Sequence, residues 1–244
     1  MKKLIFIFGA LIFFSCSSDD DNGYAVPDNV DGTLLKKAVY INNSGQISTA
    51  EYTYSGNKLL KIEANSGSST SYTYTGDRIT RINYNFGSLN TESQFLTYNS
   101  AGKLESMKKT VLGDITYSVT FTDNPDNTVT IKDYNGDFDA GAPFVSQSKA
   151  FLADDGSVTK IEKYSGSTTL TYDYTYDDQF VPTHDIIGYE KLRFYHTGST
   201  GNPNNILTVS GSGSVEMNYT YNAQGYASTV QENEDGPTVK YYYY

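Results

Sequence analysis

The sequence has 244 residues and carries 18 Lys and Arg against 28 Asp and Glu, a formal net charge of −10. This acidic excess argues against binding of nucleic acid, because contacts with phosphates need a basic patch. The single Cys excludes an internal disulfide framework and a Cys-rich zinc site.

The chain begins with the pattern of a secretory signal peptide. Two Lys follow Met1, and residues 4–14 form an almost unbroken apolar run. The run is about as long as the apolar region of a signal peptide and is too short to span a bilayer comfortably as a helix. We therefore predict a signal peptide over residues 1–15.

The end of this run, Phe13-Phe14-Ser15-Cys16, resembles the lipobox of bacterial lipoproteins. In that family the chain is cut before the Cys, which is diacylated on sulfur and is usually acylated on its new amino terminus. Phe13 replaces the usual Leu, a departure common in lipoproteins of Bacteroidetes-type bacteria. The resemblance implies lipid attachment at Cys16, and several acyl chains give a durable anchor. A buried free Cys after an uncleaved apolar segment is the alternative.

Residues 16–32 are predicted to form a lipidated acidic tether. Its start resembles the Bacteroidetes signal that exports lipoproteins to the outer face of the outer membrane. In this chain that signal comprises Ser17, Ser18, Asp19, Asp20 and Asp21. A solvated spacer is the alternative interpretation. Removing residues 1–15 takes away two Lys and no acid, so the mature chain would carry a net charge of −12 and stay soluble at a surface.

The remainder, residues 33–244, is predicted to be one β domain built from repeats. The repeat consists of an aromatic residue, any residue, Tyr, a polar turn with Gly, then Leu or Ile and a later apolar residue. Clear copies occupy 52–62, 72–82, 96–107 and 219–226, and weaker copies occupy 40–50, 121–131 and 151–161. The period drifts, because Tyr54 and Tyr74 are 20 residues apart whereas Tyr74 and Tyr98 are 24 apart.

Each copy has the features of a β-hairpin. Tyr-Thr-Tyr places both Tyr on one face of a strand, and Gly beside Asn, Asp or Ser suits a tight turn. In the second strand, the apolar residue after the first is often three positions later, which indicates either a β-bulge or a late start to strand pairing. Hairpins in series predict an all-β fold, an antiparallel β-hairpin meander of roughly twelve to sixteen strands. We expect it to form a barrel-like or strongly curled sheet, with an elongated single sheet or a sandwich as the alternative.

The repeats also resemble the YD repeats of RHS-type surface proteins. Residues 98–107 follow that consensus, with Asn99 in place of Asp and Lys103 in place of Arg, whereas Tyr226 and Ala227 depart from it. The lipobox, acidic tether and repeats together resemble Bacteroidetes surface lipoproteins of unknown function described as having a porin-like barrel fold. The resemblance implies that fold, but it brings no activity and no catalytic residues.

One acidic stretch is a candidate for calcium binding, because oxygen ligands alternate along it. Its candidate ligands are Asp133, Asn135, Asp137 and Asp139. The match to an EF-hand loop fails, since Phe138 and Phe144 occupy the positions that need Gly and a bidentate acid. An Asn-Gly hairpin turn flanked by solvated acids is the alternative, and no metal or other cofactor is predicted.

Few residues suggest catalysis. His184 and His196 are the only histidines, and Asp185 follows His184 directly, which is not the spacing expected of a catalytic pair. Two facing carboxylates, as in a glycosidase, remain an option among 28 acids. Another feature is a row of Tyr on one strand face, Tyr172, Tyr174 and Tyr176, which is interpreted either as core packing or as an exposed aromatic platform for a ligand.

These observations predict a surface-exposed, lipid-anchored outer-membrane lipoprotein with a non-catalytic β domain that binds a ligand or has a structural role. Its expected partners are the membrane, through the lipid, and a glycan or an envelope protein, but not nucleic acid. A glycan-acting enzyme and an adhesion module that uses Tyr-rich strands are the alternatives. A barrel that spans the membrane is disfavoured, because many predicted strands carry charges or Asn on both faces.

Overall fold

The computed structural model describes residues 30–192, 201–211 and 213–244. The predicted signal peptide, Cys16, the export segment 17–21 and His196 lie outside the described residues. Within these ranges the chain forms sixteen β-strands and two short 3₁₀ helices, Phe138–Ala140 and Tyr189–Leu192, so the all-β prediction is confirmed. None of the described helices has the length and apolar character needed to cross a membrane.

The strands follow one another with short connections, as expected for a meander. Their bounds are β1 (Leu35–Ile41), β2 (Ile47–Ser55), β3 (Lys58–Ala64), β4 (Ser68–Thr75), β5 (Arg78–Phe86), β6 (Leu89–Tyr98), β7 (Leu104–Val111), β8 (Asp114–Asn124), β9 (Thr128–Tyr134), β10 (Phe144–Leu152), β11 (Val158–Ser165), β12 (Thr168–Phe180), β13 (Asn204–Ser210), β14 (Ser214–Tyr221), β15 (Ala227–Glu232) and β16 (Thr238–Tyr243).

The sheet closes into a barrel. Each strand pairs with the next in antiparallel fashion, and β1 pairs with β16, where Leu35 lies opposite Tyr243. Closure leaves no edge strand that could pair with another chain. The barrel that was the first expectation is therefore confirmed, and the alternatives of a single elongated sheet and a sandwich are wrong.

The two ends of the barrel differ. The turns that follow even-numbered strands lie at one end, among them the repeat turns at Gly56 and Gly76, whose φ angles of 53° and 58° favour glycine. The described parts of the connection between β12 and β13, residues 181–192 and 201–203, also lie at this end, which we call the plug end. The turns that follow odd-numbered strands lie at the other end, which we call the rim end.

The predicted bulges are present in the repeats. Tyr54 pairs with Leu59 and its neighbour Thr53 pairs with Lys61, so Leu60 is the extra residue of β3. The copies at 72–82 and 96–107 have the same register shift, between Thr73 and Tyr74 and between Thr97 and Tyr98. The three-residue spacing of apolar residues in the sequence is therefore the mark of a bulge, which keeps both apolar side chains on the inner face.

The hydroxyl of the repeated Tyr donates a hydrogen bond to a backbone carbonyl of the preceding strand. The Tyr98 hydroxyl donates to the Ile79 carbonyl at 2.7 Å, and the Tyr176 hydroxyl donates to the Val158 carbonyl at 2.6 Å. Each of these carbonyls belongs to the residue at which a register shift begins, where ladder pairing is disrupted. The buried Tyr74 hydroxyl approaches the equivalent carbonyl, that of Leu59, but does not meet hydrogen-bond geometry with it.

The core lies inside the barrel and is most apolar towards the plug end. Leu59, Ile79, Val129 and Val158 near the starts of their strands are fully buried. Buried Ile, Leu, Met, Val and Tyr from β5 to β13 join them in one continuous cluster. Burial of this apolar surface is the main favourable contribution to folding.

The outer face of the barrel is polar. Residues that alternate with the core residues along the strands are mostly Thr, Ser and charged side chains. The charged residues at these outward positions are Lys37, Glu51, Lys61, Glu63, Arg81, Lys108, Lys132, Lys149, Lys160, Glu162, Asp173, Glu216 and Lys240. A barrel that spans a membrane has an apolar band on its outer face, and the described strands have the opposite pattern.

Candidate functional site

The first part of the connection between β12 and β13, residues 181–192, folds back onto the barrel at one mouth. We call residues 181–192 the plug. Ile186 and Leu192 are almost completely buried, and the ring of Tyr189 packs against Tyr72 with 6.3 Å between ring centres. The amide of Ile187 donates to the carbonyl of Asn57 in the first repeat turn at 3.0 Å. These contacts fix the plug to the barrel wall.

Asp185 joins the plug to two other parts of the chain. Its carboxylate accepts hydrogen bonds from the Thr33 amide at 2.7 Å and from the Tyr226 hydroxyl. Burial acts to raise the pKa of Asp185, but hydrogen bonds from Tyr226, Thr33 and His184 outweigh it and hold the pKa below its usual range. For Tyr226, burial and this hydrogen bond raise the pKa to about 12. Asp185 is therefore an ionised clamp between the plug, the segment that precedes β1 and the β14–β15 turn.

The sequence-based expectation that His184 and Asp185 would not pair is wrong. The Nδ1 atom of His184 lies 2.8 Å from Asp185 Oδ1, because the plug backbone turns at this point and brings adjacent side chains together. The imidazole ring packs against Phe180 with 4.4 Å between ring centres. The pair is thus part of the clamp, with the second carboxylate oxygen committed to Thr33 and Tyr226.

Two open clefts lie beside the plug on the outside of the mouth. One has a volume of about 410 Å³ and is lined by Thr183, Glu190 and Pro203 among others. The other has a volume of about 770 Å³ and lies between Asp31, Lys58 and Asp77. Asp185 borders both clefts, but its oxygen atoms are already bonded to the clamp.

The inner wall becomes polar towards the rim end. The residues of this region, which we call the polar cup, are Glu92, Gln94, Lys109, Tyr117, Asp133 and Lys163. Lys109, Asp133 and Lys163 each lie two positions along a strand from a buried core residue, so alternation directs them inward. Apart from Gln94, which is buried, these side chains are partly accessible: Lys109 is 33% exposed and Glu92 is 26% exposed.

One half of the polar cup is a chain of paired groups. The Lys109 ammonium lies 3.3 Å from a carboxylate oxygen of Glu92. The Gln94 amide donates to the other Glu92 oxygen at 2.7 Å, and the Tyr84 hydroxyl donates to the Gln94 carbonyl oxygen at 3.3 Å. This half combines an aromatic ring with several hydrogen-bonding groups on three neighbouring strands.

The other half is arranged around Asp133. Its carboxylate accepts hydrogen bonds from the Tyr117 hydroxyl and, at 2.6 Å, from Ser146. Burial lowers the pKa of Lys163, and the charge of Asp133 partly offsets this by raising it. The Lys163 ammonium lies over the ring of Tyr172, 5.3 Å from its centre, and makes no ion pair within the described chain. Lys163 therefore presents a cation to the lumen.

The structure does not gather the candidate calcium ligands around one point. Asp133 faces the lumen, whereas Asp137 and Asp139 follow it on the rim-end connection and share the ammonium of Lys108, which lies 2.6 Å from each. Asn135 lies in the turn, with its amide bonded to the Pro143 carbonyl. Across the described ranges, no three His, Cys, Asp or Glu side chains form a group suited to a metal ion.

The three candidate platform residues lie inside the barrel. Tyr172 and Tyr174 are buried, and Tyr176 donates its hydroxyl proton to a wall carbonyl as described above. The strand register is the cause, because Tyr172 lies opposite Ile161 and Tyr174 lies opposite Val209, both core residues. These Tyr do not form a platform on the outer face, although Tyr172 reaches the edge of the polar cup through Lys163.

The comparisons with known proteins provide no family assignment. No family model matches the chain. No curated protein matches it either. Among solved structures, the chain is similar to a porin-like protein from Bacteroides uniformis, with 12% sequence identity and a TM-score of 0.37 over 85% of this chain and 96% of that one.

Proposed function

We propose that this chain is a lipoprotein of the outer membrane, exposed at the cell surface, and that its barrel is a water-soluble, non-catalytic binding module. The observation that carries the proposal is the distribution of polarity on the barrel. Its outer face is rich in Thr, Ser and charges, its core is apolar, and the polar cup lies at the end opposite the plug. A lipid at Cys16 would then supply the attachment to the membrane.

Replacing Cys16 by Ala is expected to abolish the lipid and with it the stable membrane association. Cells fed an alkyne-tagged fatty acid should label the native chain and the control Ser18→Ala, but not Cys16→Ala. Protease treatment of intact cells should degrade the native chain if it is surface-exposed. Equal labelling of the Cys16→Ala variant would contradict the anchor, and full protection from protease would contradict surface exposure.

The polar cup suits an uncharged glycan. Lys109 and Lys163 balance Glu92 and Asp133, and Glu232, which lies opposite the core residue Met217 near the same end, adds one further negative charge. The cup therefore does not select for a strong net charge on the ligand. Hydroxyl groups of a sugar can pair with the carboxylates, amide and ammonium of the cup, and sugar faces pack well on Tyr rings. The Lys163 ammonium, which has no ion-pair partner in the described chain, is available to donate to such a ligand.

Removal of the Lys163 ammonium is expected to weaken glycan binding about tenfold or more, since a hydrogen bond from a charged group contributes about 1.5–3 kcal/mol. The measurement is titration of purified Lys163→Ala with the neutral oligosaccharides that bind the native chain in an array. Lys132→Ala is the matched control, because Lys132 lies on the outer face and its loss should leave affinity unchanged. Equal affinity of both variants, or no glycan bound, would refute the site.

A glycan-acting enzyme is the second candidate, because Glu92 and Asp133 place two carboxylates in a Tyr-containing lumen. Both carboxylates are held by hydrogen bonds, which favours binding over proton transfer. Incubation of the chain with bound oligosaccharides, followed by mass spectrometry, separates the two functions. Cleavage that is lost in both Glu92→Gln and Asp133→Asn would establish the enzyme and overturn the binding module.

A further inference from the structure

The exposed apolar side chains of this barrel are concentrated at the rim end. Large hydrophobic residues there lie at the tips of three successive hairpins, β5–β6, β7–β8 and β9–β10. We call this set the rim arc; it comprises Phe86, Leu89, Leu112, Phe144 and Val145, all more than half exposed. Leu112 is 90% exposed and Leu89 is 69% exposed. These side chains contribute little to the core, although the ring of Phe144 packs against Tyr134 with 6.1 Å between ring centres. It is their concentration at one end of the barrel that needs another explanation.

Leu112 is also unfavourable for its own turn. Its φ angle is 52°, in the left-handed region that branched and bulky residues avoid. The other non-glycine residues of the described chain with positive φ are Asn127 and Asn233, and Asn is the residue that tolerates this conformation best. A leucine that strains the turn and buries nothing in the barrel is therefore best explained by a contact outside the barrel.

We propose that the rim arc docks on the surface of a lipid bilayer. The apolar side chains lie one or two to a hairpin, at one end of the barrel, along an arc of about 25 Å across strands β5–β10. Turn residues such as Gly87 and Gly113 separate them, so they form a row of points and not one continuous patch. A row of apolar points at one end of the barrel suits a fluid interface that fills the spaces between them, whereas a protein partner requires a contiguous complementary surface.

Charge argues against a second copy of this chain as the occupant. The full chain has a net charge of −10, and the hairpin between β15 and β16 places Glu234 and Asp235 on another part of the same rim. Two rims brought face to face would place these acids close together. A bilayer can be approached by the rim arc alone, with the barrel tilted so that Glu234 and Asp235 stay in water.

The proposed lipid anchor permits this contact with the bilayer. Docking of the rim arc depends on the anchor only because the anchor brings the barrel near a membrane. Fourteen residue steps separate Cys16 from Val30, a reach of at most about 46–50 Å. The chain enters the barrel at the plug end, and the ten residues of β6 rise about 34 Å along the wall. The tether can therefore run past the barrel while the rim arc lies on the same bilayer. In that orientation the mouth of the polar cup faces the headgroup layer.

The test uses residues 17–244, which contain the whole described barrel and plug but no lipid-attachment Cys. Sedimentation with phosphatidylcholine vesicles should show binding that persists at high salt. Leu112→Asn should weaken it about tenfold, and Leu89→Ser with Leu112→Asn about a hundredfold. Leu112→Asn should also raise the melting temperature, because it relieves the turn, so loss of binding cannot be attributed to unfolding. Leu60→Ser, an exposed leucine on the outer wall, should leave binding unchanged.

Three outcomes would overturn the proposal. The first is that the native chain does not sediment with the vesicles. The second is binding that requires anionic lipid and disappears at high salt, and the third is that the rim variants still bind the vesicles. A concentration-dependent dimer abolished by the rim variants, without vesicle binding, would assign the rim arc to a second copy instead. Because the tested chain lacks Cys16, failure here is distinct from failure of the lipid anchor.

Discussion

Leu59→Ala is expected to lower the free energy of unfolding by about 3–4 kcal/mol, whereas Leu60→Ala should change it by less than about 0.5 kcal/mol. The two leucines are adjacent in β3 and chemically identical. Leu59 is fully buried and packs with Tyr54 and Ile186, while Leu60 is the bulge residue and is 40% exposed. Truncation of Leu59 leaves a cavity where the plug meets the wall, and truncation of Leu60 removes only solvated surface.

Chemical denaturation of the two variants measures this difference directly. For a barrel of this size the Leu59→Ala change corresponds to a melting temperature lower by roughly 10 °C. The pair of variants also tests the bulge itself. In a strand without the bulge, Leu60 would face the core and Leu59 would face outward. Equal destabilisation by both substitutions would show that the register of β3 is not the one described.

Asp185→Asn is expected to cost about 2 kcal/mol and to loosen the plug. The substitution removes the charge that holds the hydrogen bonds from Thr33, Tyr226 and His184, and such bonds to an ionised group contribute more than neutral ones. Hydrogen exchange should increase in residues 181–192 and at Thr33 more than in strands β5–β9. Asp154→Asn, at an exposed turn residue, is the control and should leave exchange unchanged.

The contribution of Asp185 should depend on pH in one direction. Its pKa is lowered in the folded state, so its stabilisation is fully present above the unfolded pKa of about 3.9 and is lost as the pH falls through the lower folded pKa. The difference in unfolding free energy between the native chain and Asp185→Asn should therefore be constant from pH 7 to 5 and shrink below pH 4. A difference that stays constant down to pH 2 would contradict an ionised clamp.

Local sequence patterns predicted the hairpins well because each hairpin is set by its own residues. The Tyr-Thr-Tyr alternation, the turn glycines such as Gly56 and Gly76, and the three-residue apolar spacing all correspond to observed strands, turns and bulges. Closure of the barrel had no such signal. It depends on Leu35 meeting Tyr243, a pairing between the two ends of the domain that no local pattern encodes.

The lysines of the polar cup were missed because of the bulges. In β7, alternation counted from Leu104 would direct Ser106 and Lys108 inward and Lys109 outward. The bulge at Glu105 shifts the count by one, so Met107 and Lys109 face the lumen instead. The sequence does contain the signal, since the bulge position can be predicted from the apolar spacing. Counting faces from the residue after the bulge would have found Lys109.

The central claim is that the inner face of this barrel forms the apolar core and that its polar outer face lies in water. The most direct measurement is purification of residues 30–244 without detergent, followed by circular dichroism, sedimentation and thermal unfolding. We predict a soluble protein with one cooperative transition and a β-sheet spectrum that is the same with and without detergent micelles. Aggregation in buffer, with a β-sheet spectrum recovered only in micelles, would contradict the account and identify a barrel whose outer face needs lipid.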